Sequence, residues 1–467
     1  MSTITENLQI IKNSELAMKQ AIIDKGGTIN GDITTWANSI ANIPSGGSGG
    51  SSSSKGDVTF YDYDGTILYS LSKDEFLTLN ELPPLPVHPG LTCQGWNYDL
   101  VKGMEYVGQY GKLDIGATYI TDDGKTRLYI RIAAEGRMTV PLYFSQTVAN
   151  GVTIDWGDGS ATQTLSGTGN KNTTHTYANI GDYCITLTVT SGCTLKLGHI
   201  STSYCVMGST SSAGVYCNML QKVEIGAGIT SVSSYAFYNC SSLSSVVIPN
   251  SVTSIGSYAF YNCYSLLSVV MPDPVTSIGT YAFYNCYSLS SVVIPNSVTS
   301  IGTDAFSHCY SLSSVVIPNS VTSIGQQAFS YCLSLSSLVI PNSVTSIGQQ
   351  LFSQCSSLSS VVIPNSVTLI EKDMFSQCSS LSSVVIPNSV TSIGSKAFYY
   401  CYGMAFYDFS NHTTVPTLSY TNVFDSNSSD CKIIVPDNLY DEWIAATNWS
   451  TYSSNIIKKS DWDALQN

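Results

Sequence analysis

The sequence predicts a mixed, mainly β chain: a helical start, a small α+β domain, a β-sandwich and a C-terminal solenoid. Three observations carry this reading. Nine cysteines, from Cys217 to Cys401, recur every 23 residues, which marks a chain built by stacking one short unit. A Gly/Ser run at 45–54 divides the chain near its start. Between the two, apolar and polar residues alternate with the period of a strand.

Residues 1–44 read as a helical attachment or oligomerisation segment. Thr3-Ile4-Thr5-Glu6 fits a capping box, and Ile4, Leu8, Ile11, Met18 and Ile22 make a short apolar seam before Gly26-Gly27. Residues 45–56 are the linker. Residues 57–136 alternate in Val58-Thr59-Phe60 and Leu128-Tyr129-Ile130, with a proline-rich loop at Pro83, Pro84, Pro86 and Pro89. They predict a small α+β domain without a β-α-β pattern. Residues 137–193 predict an all-β sandwich. Residues 194–410 are the solenoid and 411–467 a segment that closes its last coil.

The repeating unit is Cys-x-Ser-Leu-Ser-Ser-Val-Val-Ile-Pro-Asn-Ser-Val-Thr-Ser-Ile-Gly-x-x-Ala-Phe-x-x. Leu243, Val246 and Ile248 should face inward from one strand, and Val252, Ile255 and Phe260 from the return side. Pro249 ends the strand and Gly256 permits a corner. Stacking at the ~4.8 Å strand spacing gives a rod on the order of 40 Å long. The cysteine ladder is expected to be a buried apolar filler rather than a set of disulfides or metal ligands. Val247, Val270, Val293, Val316, Val339, Val362 and Val385 should form an exposed stripe.

Composition limits the function. Of 467 residues 11% are charged, while 43% are hydrophobic, and the net charge is −13. A basic phosphate-binding surface is excluded, so no nucleic-acid partner is expected. Docking on an anionic membrane is disfavoured too, and no apolar run reaches the ~20 residues that span a bilayer. Met1 to Ile10 lacks the basic start and apolar core of a secretory signal. The expectation is a chain not exported by the general route.

Few residues suggest chemistry. Asp62-Tyr63-Asp64-Gly65-Thr66 after an apolar strand matches the nucleophile motif of the haloacid dehalogenase phosphatases. Without a parallel α/β sheet around it, the motif reads as a hairpin turn. Asp155 and Asp158 read as turn residues rather than calcium ligands. His88, His175, His199, His308 and His412 show no ligand spacing, so neither cofactor nor metal is expected.

The positions that vary between coils are the binding candidates. Tyr235, Tyr258 and Tyr281 follow the corner residue, as do Gln326, Gln327, Gln349 and Gln350. Tyr238, Tyr261, Tyr264, Tyr284, Tyr287 and Tyr310, with His308 and Tyr331, flank the cysteine. Tyrosine offers large, rigid contact area. Such a strip would stack on sugar faces, while glutamine bonds hydroxyls.

Three resemblances extend the reading. The 23-residue unit resembles the BspA-type leucine-rich repeat. The segments Asp155-Trp156-Gly157-Asp158-Gly159, His175-Thr176-Tyr177 and Gly181-Asp182-Tyr183 resemble the PKD domain, an immunoglobulin-like sandwich of surface proteins, which implies a spacer or adhesive module. Residues 6–43 resemble the N-termini of phage tail and fibre-like proteins, and 57–135 a domain of such proteins from gut phages. Together they imply a non-enzymatic virion appendage. Its N-terminus would join other virion structural proteins, with a homo-oligomer possible, and its solenoid would bind a host-surface glycan or protein. The alternative is an exported bacterial surface adhesin of the BspA kind.

Overall fold

Strand β1 (Val58–Tyr61) is buried along its whole length and pairs antiparallel with β2 (Ile67–Leu71). This computed structural model describes residues 56–199, 204–209 and 216–466. The expected helix at 3–24, the segment 33–43 and the Gly/Ser run 45–54 lie outside the described residues. Helix α1 (Lys73–Leu77) begins in a capping box formed by Ser72 and Glu75. Strand β3 (Leu91–Trp96), helix α2 (Leu100–Tyr110) and β4 (Leu113–Thr121) follow. The sheet order is β2-β1-β4-β3, and β1 runs parallel to β4. That parallel pair corrects the expectation of no β-α-β pattern. The crossover is hidden in the sequence because β2 and β3 interrupt it.

The sandwich holds β5 (Thr126–Ile132), β6 (Thr139–Gln146), β7 (Val152–Asp155), β8 (Gln163–Thr164), β9 (Gly169–Thr176), β10 (Gly181–Val189) and β11 (Leu195–Leu197). One layer orders β11-β6-β9; the other contains β5-β10-β7-β8. A domain boundary at residue 136 places strand β5 in the α+β domain. The strand pairs instead with β10, from Ile132 opposite Gly181 to Thr126 opposite Leu187. Its Leu128, Ile130 and Ile132 are buried in the sandwich core, and the turn at Gly124 is the divider.

The hairpin of β12 (Tyr204–Cys205) and β13 (Gly208–Ser209) leads to β14 (Leu220–Glu224) and β15 (Ser245–Val247). The free side of β5 bonds β14, and β14 bonds β15 in parallel. The sandwich sheet thus continues into the solenoid and occupies its first edge, which would otherwise expose unpaired backbone. One apolar core runs from Leu128 to Ile456.

Each coil then repeats the last in register, with Ser268 opposite Ser291 on one face and Ile278 opposite Ile301 on the other. Leu243, Val246, Ile248, Val252, Ile255 and Phe260 are all buried, as the repeat predicts. In the bend of each coil the N–H groups of Tyr258, Phe260 and Asn262 donate to the carbonyls of Thr280, Ala282 and Tyr284 in the next. Stacking therefore satisfies backbone groups that no sheet serves. Gly256 does not serve through its backbone angles. A Cβ there would meet Ser234 N at 2.4 Å, and one on Gly302 would meet Gly279 C at 2.6 Å. Close approach of successive coils favours glycine in this column, although Ser233 and Glu371 occupy it in two coils.

Beyond Cys401 the sequence repeat fades but the parallel ladder does not. Phe406 pairs with Lys432 and Ile433 with Ile456, steps of 26 and 23 residues. Trp443 and Trp449 are fully buried over the last coil, and Trp449 Nε1 donates to Pro416 O at 2.6 Å.

The α+β domain lies on the strand face of the early coils. Asn97 Nδ2 donates to Met271 O at 3.1 Å, Tyr106 OH to Ile317 O at 2.7 Å, and Ser268 Oγ to Tyr63 O at 3.0 Å. The expected exposed valine stripe is consequently covered over its first part. Val247, Val270 and Val293 are buried, Val316 and Val339 are half-buried, and only Val362 and Val385 stand out, 58% and 55% exposed.

Candidate binding face

Two residues in each coil adopt a left-handed backbone without being glycine. One column is Tyr235, Tyr258, Tyr281, Asp304, Gln327, Gln350, Asp373 and Lys396. The other is Asn239, Asn262, Asn285, His308, Tyr331, Gln354, Gln377 and Tyr400. Non-glycine residues enter this region at some cost. The tight bend before each cysteine imposes it twice per coil, and five of the candidate rings, Tyr235, Tyr258, Tyr281, His308 and Tyr331, stand at these positions.

The candidate tyrosines form three ladders. Tyr235, Tyr258 and Tyr281 stack with centroids 4.9 Å apart. Tyr238, Tyr261 and Tyr284 stack at 4.9 and 5.0 Å, and Tyr264, Tyr287 and Tyr310 at 4.8 Å. The first two ladders touch, with Tyr258 and Tyr261 centroids 5.6 Å apart. The second continues one residue out of register. Ser307 replaces tyrosine, and the rings of His308 and Tyr331 take over, 5.1 Å from Tyr284 and 4.3 Å from each other. An amide ladder runs beside it, Asn285 Nδ2 to Asn262 Oδ1 and Asn262 Nδ2 to Asn239 Oδ1, each 2.8 Å. The structure thus joins all nine candidate tyrosines, plus His308 and Tyr331, into one face. Both added residues stand beside the cysteine in the repeat, but the sideways step that links them does not follow from the 23-residue period.

The stacking also corrects the expected chemistry. Ring planes 5° to 20° apart at 4.9 Å leave no room for a sugar between rungs. Ring faces are open only at the ladder ends; elsewhere the surface offers ring edges and hydroxyls. Burial, with neighbouring phenols adding to it, raises the Tyr261 phenol to about 12. Beside Tyr281, Asp304 is the main cause of an upward shift. These hydroxyls stay neutral, able both to donate and to accept.

The glutamines succeed the first tyrosine ladder along the same column, with Asp304 between. Gln326 and Gln349 are exposed, Gln327 and Gln350 half-buried. Gln326 Nε2 reaches Gln327 Oε1 at 3.3 Å and Gln350 Oε1 at 3.5 Å.

The other flagged residues are held in structural roles. Asp62 is buried, accepts from Tyr119 OH at 2.7 Å and pairs with His88 Nε2 at 2.7 Å. Asp64 accepts from Thr66 N, and Gly65 closes the hairpin with φ +91°. Asp155 accepts from Gly157 N. Asp158 accepts from Ser160 and pairs with His175, which together hold its carboxyl well below the usual range. Among the described residues no group of three or more His, Cys, Asp or Glu is arranged for a metal, and no helix is long and apolar enough to cross a membrane.

The ladder cysteines are buried and unlinked. Each Sγ from Cys263 to Cys401 donates to the phenylalanine carbonyl 26 residues earlier, as Cys309 does to Phe283 O at 3.3 Å. This explains why the position is cysteine rather than alanine: a small apolar body carrying one weak donor.

Comparison with known proteins agrees with this architecture. Residues 210–333 and 276–405 match the model of the BspA type Leucine rich repeat region. No curated protein matches the chain. A leucine-rich repeat protein of T. pallidum is 35% identical over 33% of this chain and 72% of its own, with a TM-score of 0.31. A leucine rich cell surface protein of Faecalibacterium prausnitzii A2-165 is 25% identical over 54% and 84%, with a TM-score of 0.26. By its sequence the chain belongs to the leucine-rich repeat proteins, and residues 210–405 are its BspA-type repeat region.

Proposed function

We propose that the chain is a non-enzymatic adhesin whose tyrosine ladders bind a glycan or protein on a host-cell surface. The observation that carries this is the continuous aromatic face itself. The repeated residues build the rod, yet the variable ones converge on one strip of rings, five of which (Tyr235, Tyr258, Tyr281, His308 and Tyr331) stand at left-handed backbone positions. Its outer chemistry, phenol hydroxyls beside amides, suits a polyhydroxylated or peptide surface. The reaction-bearing motif, Asp62 to Thr66, is consumed in a turn.

The BspA-type repeats favour display on a bacterial surface. The phage-particle reading rests on the resemblance of residues 6–43 to tail and fibre-like proteins. Mass spectrometry of purified particles and of isolated cell envelopes separates the two. Binding is tested with alanine at Tyr258, Tyr261, Tyr281 and Tyr284 together. Cell binding should fall at least tenfold while the circular dichroism spectrum stays unchanged; undiminished binding rejects the face.

A further inference from the structure

The thiol ladder ends differently from the way it runs. Cys263 to Cys401 each bond a phenylalanine carbonyl one coil back. Cys217 heads the ladder, and the residue 26 positions before it is Ser191 of the sandwich. Its sulfur meets other sulfurs instead: Cys217 Sγ lies 2.7 Å from Cys205 Sγ and also contacts the Cys240 thiol on its other side. Both residues are fully buried. Cys205 belongs to the β12–β13 hairpin, which packs over the open end of the first coil. Val206 N of that hairpin donates to Ala236 O, and Tyr143 N of the sandwich to Val206 O. The hairpin thus sits between the sandwich and the solenoid.

We propose that Cys205 and Cys217 form a disulfide when the chain folds in an oxidising medium, tying this hairpin to the first coil. Two S–H bonds break and one S–S bond forms. The two electrons and two protons pass to a low-molecular-weight disulfide, which leaves as two thiols. The reaction belongs to folding rather than to the finished protein. Contact with Cys217, together with burial, holds the Cys205 thiol well above its usual range, so the attacking thiolate is scarce once the site has closed. The bond would constrain the eleven residues between the two cysteines, and so reinforce the end on which the other coils stack.

Trypsin makes the test direct. Leu197 to Lys222 contains both cysteines and no internal cleavage site. The full chain is unfolded in reductant, then refolded with glutathione disulfide and, separately, with reduced glutathione alone. Remaining thiols are alkylated and the digests weighed. In the oxidised sample this peptide should be unalkylated and two hydrogens lighter than its reduced form. The oxidised protein should also melt on the order of 4 °C higher, an increment lost on adding reductant and missing in Cys205→Ser. The reductant arm needs no variant, so a misfolded mutant leaves the test intact. Alkylation of both cysteines after oxidative refolding overturns the proposal. So does a cross-link from Cys217 to Cys240, the next thiol of the ladder.

Discussion

The rings of Phe283 and Phe306, 23 residues apart in the chain, lie 1° from parallel with their centroids 5.2 Å apart. Similar pairs continue from Phe237 to Phe424. The coil has little core of its own, and each ring is buried mainly by its neighbours. Phe306→Ala should therefore destabilise by about 3–5 kcal/mol, since it opens a cavity against two coils at once. Chemical denaturation with a tryptophan signal measures it. A loss under 1 kcal/mol would mean that the coils are held mainly by their backbone ladders.

Gln350 separates backbone strain from side-chain contact. Its φ of +60° suits asparagine and punishes a β-branched side chain. Gln350→Val should cost about 1–2 kcal/mol, while Gln350→Asn should be close to neutral. Equal midpoints for the two variants would show that the bend relaxes freely.

Acid should weaken the rod. Burial lowers His308 from its ordinary value of 6.5, and burial lowers His412 likewise. The unfolded chain then takes up these protons before the folded one does. Stability is complete above pH 6.5 and falls as pH drops through the window down to the folded values. His308→Gln, which borrows the residue found one and two coils beyond Tyr331, should flatten the melting temperature between pH 7 and 5. An unchanged slope would place the sensitivity at His412.

The ladder thiols should be inert in the native state. Burial pushes Cys240, Cys355 and Cys401 up to about 12, which leaves almost no thiolate at neutral pH. Iodoacetamide should label the half-buried Cys93 and Cys184 first, and the ladder only after denaturant is added. Early labelling of Cys309, followed by mass spectrometry, would show that the middle coils open.

The coil was legible because one residue at a time repeats its environment. A period of 23 fixes which side chains share a column, and burial of Leu243, Val246 and Phe260 follows from the unit alone. Contacts between different kinds of structure were not. The pairing of β5 with β10 and β14 runs through its two backbone edges, and the alternation of its side chains looks the same whichever strands those edges meet. Coverage of Val247 and Val270 by the α+β domain requires knowing where that domain lands. The binding face was half legible. Its residues were flagged because they vary, but the step from Tyr284 to His308 crosses columns and exists only in space.

The docked α+β domain has a consequence for how such a chain changes over generations. Its polar contacts reach along the rod as far as Ser337 and Asn342. Coils before that point are matched individually to a partner, so losing one would misplace every later contact. From Cys355 to Cys401 the coils bond their neighbours and, at the far end, the closing segment, under nearly identical sequence. Slippage or recombination there can add or delete whole 23-residue units, lengthening or shortening the far end while the anchored end keeps its fit.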